Sequence, residues 1–183
     1  MLRAFAFATL CAALAAQAQD AGSLRARHAE LRSQLADNPF GRPLHVASSA
    51  AAGAHRGEIT AVIDQPYPVV APALSRATNW CAILALQVNI KHCDAAGDTL
   101  AAAVTRKPRD ALDRAHWVDF RYELAAAGPD YLRATLDAPA GPVGTRDYQV
   151  LLEAAPGAPS PGSASPAASA AWSSAARCAI TWR

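Results

Sequence analysis

GEITAVIDQPYPVVAPALSRATNWCAILALQVNIKHC, residues Gly57 to Cys93, is the stretch that decides the fold. Ile59, Ala61 and Ile63 alternate with Glu58, Thr60 and Asp64. That period of two predicts a strand with one buried face, although Val62 blurs the polar side. Gln65-Pro66-Tyr67-Pro68 ends it, because proline lacks a backbone donor and turns the preceding residue away from helical angles. From Val69 the pattern becomes helical through Val70, Ala73, Leu74 and Ala77, with Pro72 in the first turn, where its missing N–H costs nothing. Thr78 or Asn79 fits the N-cap of a second short helix carrying Trp80, Cys81, Ile83 and Leu84. Leu86, Val88 and Ile90 then alternate with Gln87, Asn89 and Lys91, predicting a return strand.

Downstream the alternation repeats. Asp94 to Asp98 reads as a turn, and Thr99 to Lys107 as an alanine-rich strand whose small side chains leave room for a helix or a ligand. His116 to Ala125 is the clearest strand, with His116, Val118, Phe120, Tyr122 and Leu124 on one face and Trp117, Asp119, Arg121 and Glu123 on the other. Tyr131 to Asp137 follows across Gly128-Pro129-Asp130, turning Leu132, Ala134 and Leu136 inward. Thr145 to Glu153 follows with Tyr148, Val150 and Leu152 inward. Strands joined by short turns predict an antiparallel sheet and an α+β domain of roughly 130 residues, enough for one core.

Upstream, Met1 to Ala18 reads as a secretory signal peptide. Arg3 is its basic start, Ala4 to Ala16 its apolar stretch, and Ala16-Gln17-Ala18 an A-x-A cleavage site. The apolar stretch is shorter than the ~20 residues a bilayer needs, and no other stretch is a transmembrane candidate. Cys11 follows Leu10, where a lipid-anchoring cysteine needs a small residue. Removing the segment takes the formal charge of +2 down by one, so charge gives no reason to expect a nucleic-acid or anionic-membrane partner. Gly22 to Asp37, with Leu24, His28, Leu31 and Leu35 at helical spacing, predicts an amphipathic helix stopped by Asn38-Pro39, to be packed on the domain or docked to a partner. Pro43 to Ser49 reads as a short extended segment, and Ser49 to Gly53 as a soft linker. From Ala154 to Arg177 every residue except Trp172 and Arg177 is Ala, Pro, Gly or Ser. That composition predicts a tail, residues 154–183, that is disordered or loosely helical.

The run Ile63-Asp64-Gln65-Pro66 to Leu84 resembles the opening of START-like, or helix-grip, domains: a strand ending in an acid and a proline, two short helices, and a Trp in an x-N-W setting. Asn38 to Leu44 (N-P-F-G-R-P-L), Asn79 to Cys93 (N-W-C…K-H-C) and Gly144 to Tyr148 (G-T-R-D-Y) are similar to a group of secreted proteobacterial proteins. That second resemblance implies no activity. Together they cover roughly residues 24–153. The helix-grip resemblance implies a partial domain over 43–153, a curved antiparallel sheet around an apolar cavity, and a C-terminal part that is incomplete. The composition shift at Ala154 suggests a frameshift product; the alternative is a genuine Ala/Pro/Ser-rich secreted tail.

Export makes cysteine pairing the expectation. Cys81 and Cys93 are the expected pair, leaving Cys178 over. No metal site and no cofactor are expected, because no C-x-x-C or His/Cys cluster occurs, and His92 and Cys93, as strand neighbours, point to opposite faces. His28 and His55 are expected exposed, and His45 on an edge segment. Three functional classes follow. The first is a binding module for a lipid or other hydrophobic small molecule, its cavity lined by His116, Val118, Phe120, Tyr122, Leu132, Leu136, Tyr148 and Val150. The second is a cyclase- or hydrolase-like enzyme using His116 as base near Tyr122. The third is an envelope interaction protein working through its N-terminal helix or its tail. No G-x-S-x-G, H-E-x-x-H, phosphate loop or EF-hand spacing occurs.

Overall fold

The structure, a computed structural model, describes residues 21–51, 53–157 and 174–183. The expected signal segment, Cys11 and most of the Ala/Pro/Ser-rich stretch lie outside the described residues. The element order is α1 (residues 21–30), α2 (Arg32–Ala36), β1 (Leu44–Ala51), β2 (Ala54–Ile63), α3 (Tyr67–Leu74), α4 (Ala77–Leu84), β3 (Ile90–Ala96), β4 (Thr99–Val104), β5 (His116–Ala127), β6 (Leu132–Ala140), β7 (Arg146–Pro156) and β8 (Ser174–Trp182). All eight strands form one open antiparallel sheet in the order β1-β2-β8-β7-β6-β5-β4-β3.

Two expectations about the chain's ends are corrected. Ser49 to Gly53 is no soft linker: β1 runs to Ala51 and returns as β2, with Gly53 at φ 78 in the turn, a conformation that glycine adopts without strain. Nor is the chain after Ala154 disordered over its described part. β7 continues to Pro156, and Ser174–Trp182 is a strand inserted between β2 and β7, paired with β2 from end to end and with β7 from Ser174 to Thr181. Composition misjudged it because a strand with a ladder on each side is held by backbone hydrogen bonds, which small residues make as well as large ones.

The two faces are covered differently. On the inner face, α4 lies against β3 and β4, and α3 against β7. Trp80 enters a core with Leu100, Ala102, Val118, Phe120, Tyr122, Leu136 and Val150. The Trp80 indole N–H and the Tyr122 hydroxyl both donate to the Leu74 carbonyl, at 3.0 and 3.3 Å, so two aromatic donors satisfy one exposed end of α3. The Tyr67 hydroxyl donates to the Gly128 carbonyl at 3.0 Å and ties the start of α3 to the β5–β6 turn. Cys81 and Cys93 are bonded, with Cα atoms 5.3 Å apart, and join α4 to β3 as expected. On the outer face, Ala21 and Leu24 of α1 pack on Tyr131 and Ala155, α2 lies against β1, and Leu31 and Leu35 are buried. The apolar stripe of the N-terminal helix is thus spent on its own sheet.

Smaller corrections concern caps and boundaries. Neither Thr78 nor Asn79 caps α4, whose N-cap is Arg76 with no side-chain bond; Asn79 instead donates to the Ala73 carbonyl at 2.7 Å. Leu86 and Val88 are not strand residues but lie exposed in the turns before β3. β3 extends to Ala96, so the turn expected over Asp94 to Asp98 shrinks to Gly97 and Asp98. His28 is half-buried, while His55 is exposed and His45 is on the edge strand, as expected.

Candidate binding surface

Six of the eight cavity candidates converge on the inner face, but as packed core. Val118, Phe120, Tyr122, Leu136 and Val150 are buried together around Trp80, and Leu132 is buried with Tyr67 and Ala154. None of the six borders a described cleft. The alanines of β4 behave likewise: Ala102 is buried in the inner core, where α4 takes the room it leaves, while Ala103, turned to the opposite face, is buried too. Small residues opposite a short helix therefore admit the helix.

His116 departs furthest from expectation. It has the same strand parity as Val118, but it is the first residue of β5 and is exposed. Tyr122 lies six residues along the same strand, so the two are separated by ~20 Å at the rise of an extended chain. The Tyr122 hydroxyl is engaged by Leu74, and burial raises its pKa above the ordinary tyrosine value. No acid–base pair can form from these two groups. Asp119, Arg121 and Glu123 are solvent-facing, as expected of a charge ladder.

What the inner face leaves open is its other half, over β1, β2 and β8. Ile59 is 42% exposed and its cross-strand neighbour Val46 is 48% exposed. Leu44, Ala61, Ile63 and Ile180 on the same face are half-buried. The predicted phase of β2 is therefore right and its burial is not: Ile59, Ala61 and Ile63 point inward, but no described helix covers them, whereas Thr60 on the opposite face is fully buried. One end of this surface is closed by a row of three rings. Tyr148 and Trp182 stack with centroids 6.0 Å apart, and Trp182 and His55 at 5.5 Å. The Tyr148 hydroxyl pairs with Thr145 Oγ1 at 2.8 Å, and Gly141 lies so close that a Cβ there would come within 2.0 Å of the Tyr148 ring. A cleft of about 470 Å³ borders this row at Tyr148 and Trp182, its other walls including Asp137, Asp147, Gln149 and Arg183. Tyr148 is thus the one cavity candidate that borders a described cleft. Sequence reasoning missed Val46, Ile180 and Trp182 as surface-forming residues. The alternation in Leu44-His45-Val46, within the segment read as short and extended, and the Ile180/Trp182 spacing, within the stretch read as a tail, were the available signals.

A larger cleft, about 960 Å³, lies on the outer face between Arg25, Glu123, Asp130, Arg133 and Asp137. Its walls mix both charges with small apolar side chains, and Arg25 reaches Asp130 across it at 3.9 Å, so it is a more polar site than the open inner face. No group of three or more His, Cys, Asp or Glu side chains among the described residues could hold a metal ion. No described helix is long and apolar enough to cross a membrane. Fold and surface define the class: an α+β protein built on one open antiparallel sheet, whose inner face is half packed by helices and half exposed and apolar. The chain matches no protein family and no curated protein.

Proposed function

We propose that this is an exported binding module that holds an elongated apolar molecule, such as a lipid acyl chain, on the open half of its inner face. The observation that carries the reading is the run of inward-pointing Val46, Ile59 and Ile180 left without a described cover and ended by the Tyr148–Trp182–His55 row. Apolar area taken out of water on such a surface contributes roughly 25 cal/mol per Å². Export is supported by the A-x-A segment and by the Cys81–Cys93 bond, which is characteristic of oxidising compartments. The helix-grip reading is supported by the order of parts: β2 ends before Asp64 and Pro66, α3 and α4 follow, and an antiparallel meander brings β8 back beside β2. The guest lies against a surface, because the candidates expected to line a closed hollow are packed against one another.

The test is titration of the purified protein with a fluorescent fatty acid. Saturable binding is expected, weakened about tenfold by Ile59→Asp (a loss of about 1.4 kcal/mol) while Val118, behind Trp80, stays inaccessible to the probe. Absence of saturable binding, or equal binding by Ile59→Asp with an unchanged circular dichroism spectrum, overturns the reading.

A further inference from the structure

The sheet is open, so it has two edges, and they are built differently. The β3 edge carries Lys91, His92 and Asp94 and a register irregularity between Ile90 and His92. Its middle is tied to α4 through Cys93, and Lys91 Nζ caps the carbonyls of Val88 and Pro108. Charges, a bulge and a tether are the devices by which proteins keep an edge from pairing. The β1 edge has none of them. Leu44–Ala51 contains no Asp, Glu, Lys, Arg, Pro or Gly, and it pairs with β2 in one unbroken register over eight residues.

The direction of its free backbone groups follows from the ladder. The Val62 N–H donates to the Pro43 carbonyl. In an antiparallel pair the bonded positions alternate, so His45, Ala47 and Ser49 bond to β2, while Val46, Ser48 and Ala50 turn their N–H and C=O outward. The Leu44 N–H is already used by the Arg42 carbonyl.

We infer that β1 is a dimerisation edge, and that its occupant is β1 of a second copy, paired antiparallel about a twofold axis at Ser48. Three features of the strand select a second copy. A strand without charges meets its own image without like-charge repulsion, the commonest obstacle to self-pairing. With Ser48 on the axis, Ser48 faces Ser48, and on either side of that pair Val46 of each copy faces Ala50 of the other, so large meets small there. And the pairing joins the exposed Val46 and Ile59 of one copy to those of the other, merging two apolar surfaces into one. A single-strand contact belongs at the small end of the range, below roughly 1,200 Å², so the dimer is reversible. This does not depend on whether the inner face takes a guest.

Sedimentation velocity of the full exported chain, free of added lipid, tests it between about 10 μM and about 500 μM, a range that brackets a weak association. The weight-average mass is expected to rise toward twice that of the monomer. Ser48→Pro removes an outward donor and leaves the β2 ladder whole; Ser48→Lys places two like charges on the axis. Both are expected to hold the protein monomeric throughout, with unchanged far-ultraviolet circular dichroism and melting temperature, while Asp94→Lys on the other edge leaves dimerisation unchanged. A wild-type chain that stays monomeric throughout overturns the inference, as does a dimer that survives both Ser48 variants or is lost equally in Asp94→Lys.

Discussion

His28 shows what burial does to a single group. It stands on the stripe that α1 turns toward the sheet, and its Nε2 is buried with no hydrogen-bond partner among the described residues. Burial penalises its imidazolium form and Arg32 repels it, so its pKa lies below the ordinary 6.5. Arg27 also flanks it, but is paired with Glu58 of β2 at 3.6 Å. The folded protein therefore takes up this proton less readily than the unfolded chain. The associated stability is whole above about pH 6.5 and declines as the pH falls from there toward the lowered folded value. The urea midpoint is expected to drop between about pH 7.5 and about pH 5.5, and to drop less in His28→Leu, which continues the Leu24, Leu31 and Leu35 stripe. An equal drop in the two proteins rules His28 out as the source. Gly141 makes a second residue-scale prediction. A methyl group there would collide with the Tyr148 ring, so Gly141→Ala is expected to displace the ring row and to lose about 1–3 kcal/mol, read by near-ultraviolet circular dichroism and chemical denaturation. An unchanged aromatic signal would show that the ring yields freely.

Among the elements, α4 depends most on a partner. It has eight residues, no side-chain cap and no acid in its first turn, so it is too short to stand alone. Trp80 anchors it to the core, and the Cys81–Cys93 bond closes a loop with a sequence separation of 12. Removing the bond by replacing both cysteines with alanine is expected to cost about 3 kcal/mol on the chain-entropy account, measured by urea unfolding. A loss below about 0.5 kcal/mol would mean that Trp80 alone holds the helix in the unfolded ensemble as well. The same pairing of sequence and element is readable in β5, where Val118, Phe120 and Tyr122 bury as their alternation predicts. It fails at Leu124, 38% exposed, where the β5–β6 register shifts before Ala126.

At the scale of the molecule, β8 joins two parts that otherwise share no ladder: the β1–β2 hairpin and the β7-to-β3 meander. Ending the chain after Gly157 removes both of its ladders and leaves β2 and β7 with unpaired edges in the middle of the sheet. The shortened protein is expected to lose its single cooperative melting transition and to precipitate on heating. A truncated chain that melts within a few degrees of the intact one would show that β8 adds little to the fold. The position of β8 also sets the open surface, since the inner-face positions between β2 and β7 are its own.

The alternation in β2, β5, β6 and β7, the Pro66 break and the two short helices were legible from the chain alone, because local periodicity records which residues must leave water. So was the Cys81–Cys93 bond, because these two cysteines frame one short helix-and-strand unit, close enough in the chain to meet. Tertiary structure alone decided which inward residues are covered. Ile59 and Val118 carry the same signal of alternation, yet one meets solvent and the other meets Trp80, because the helices α3 and α4 are only long enough to lie over part of one face. It also decided the fate of Ser174–Trp182, whose composition predicts no order by itself: the strand exists because β2 and β7 each present a row of backbone donors and acceptors, and a sheet interrupted there would leave both rows unsatisfied.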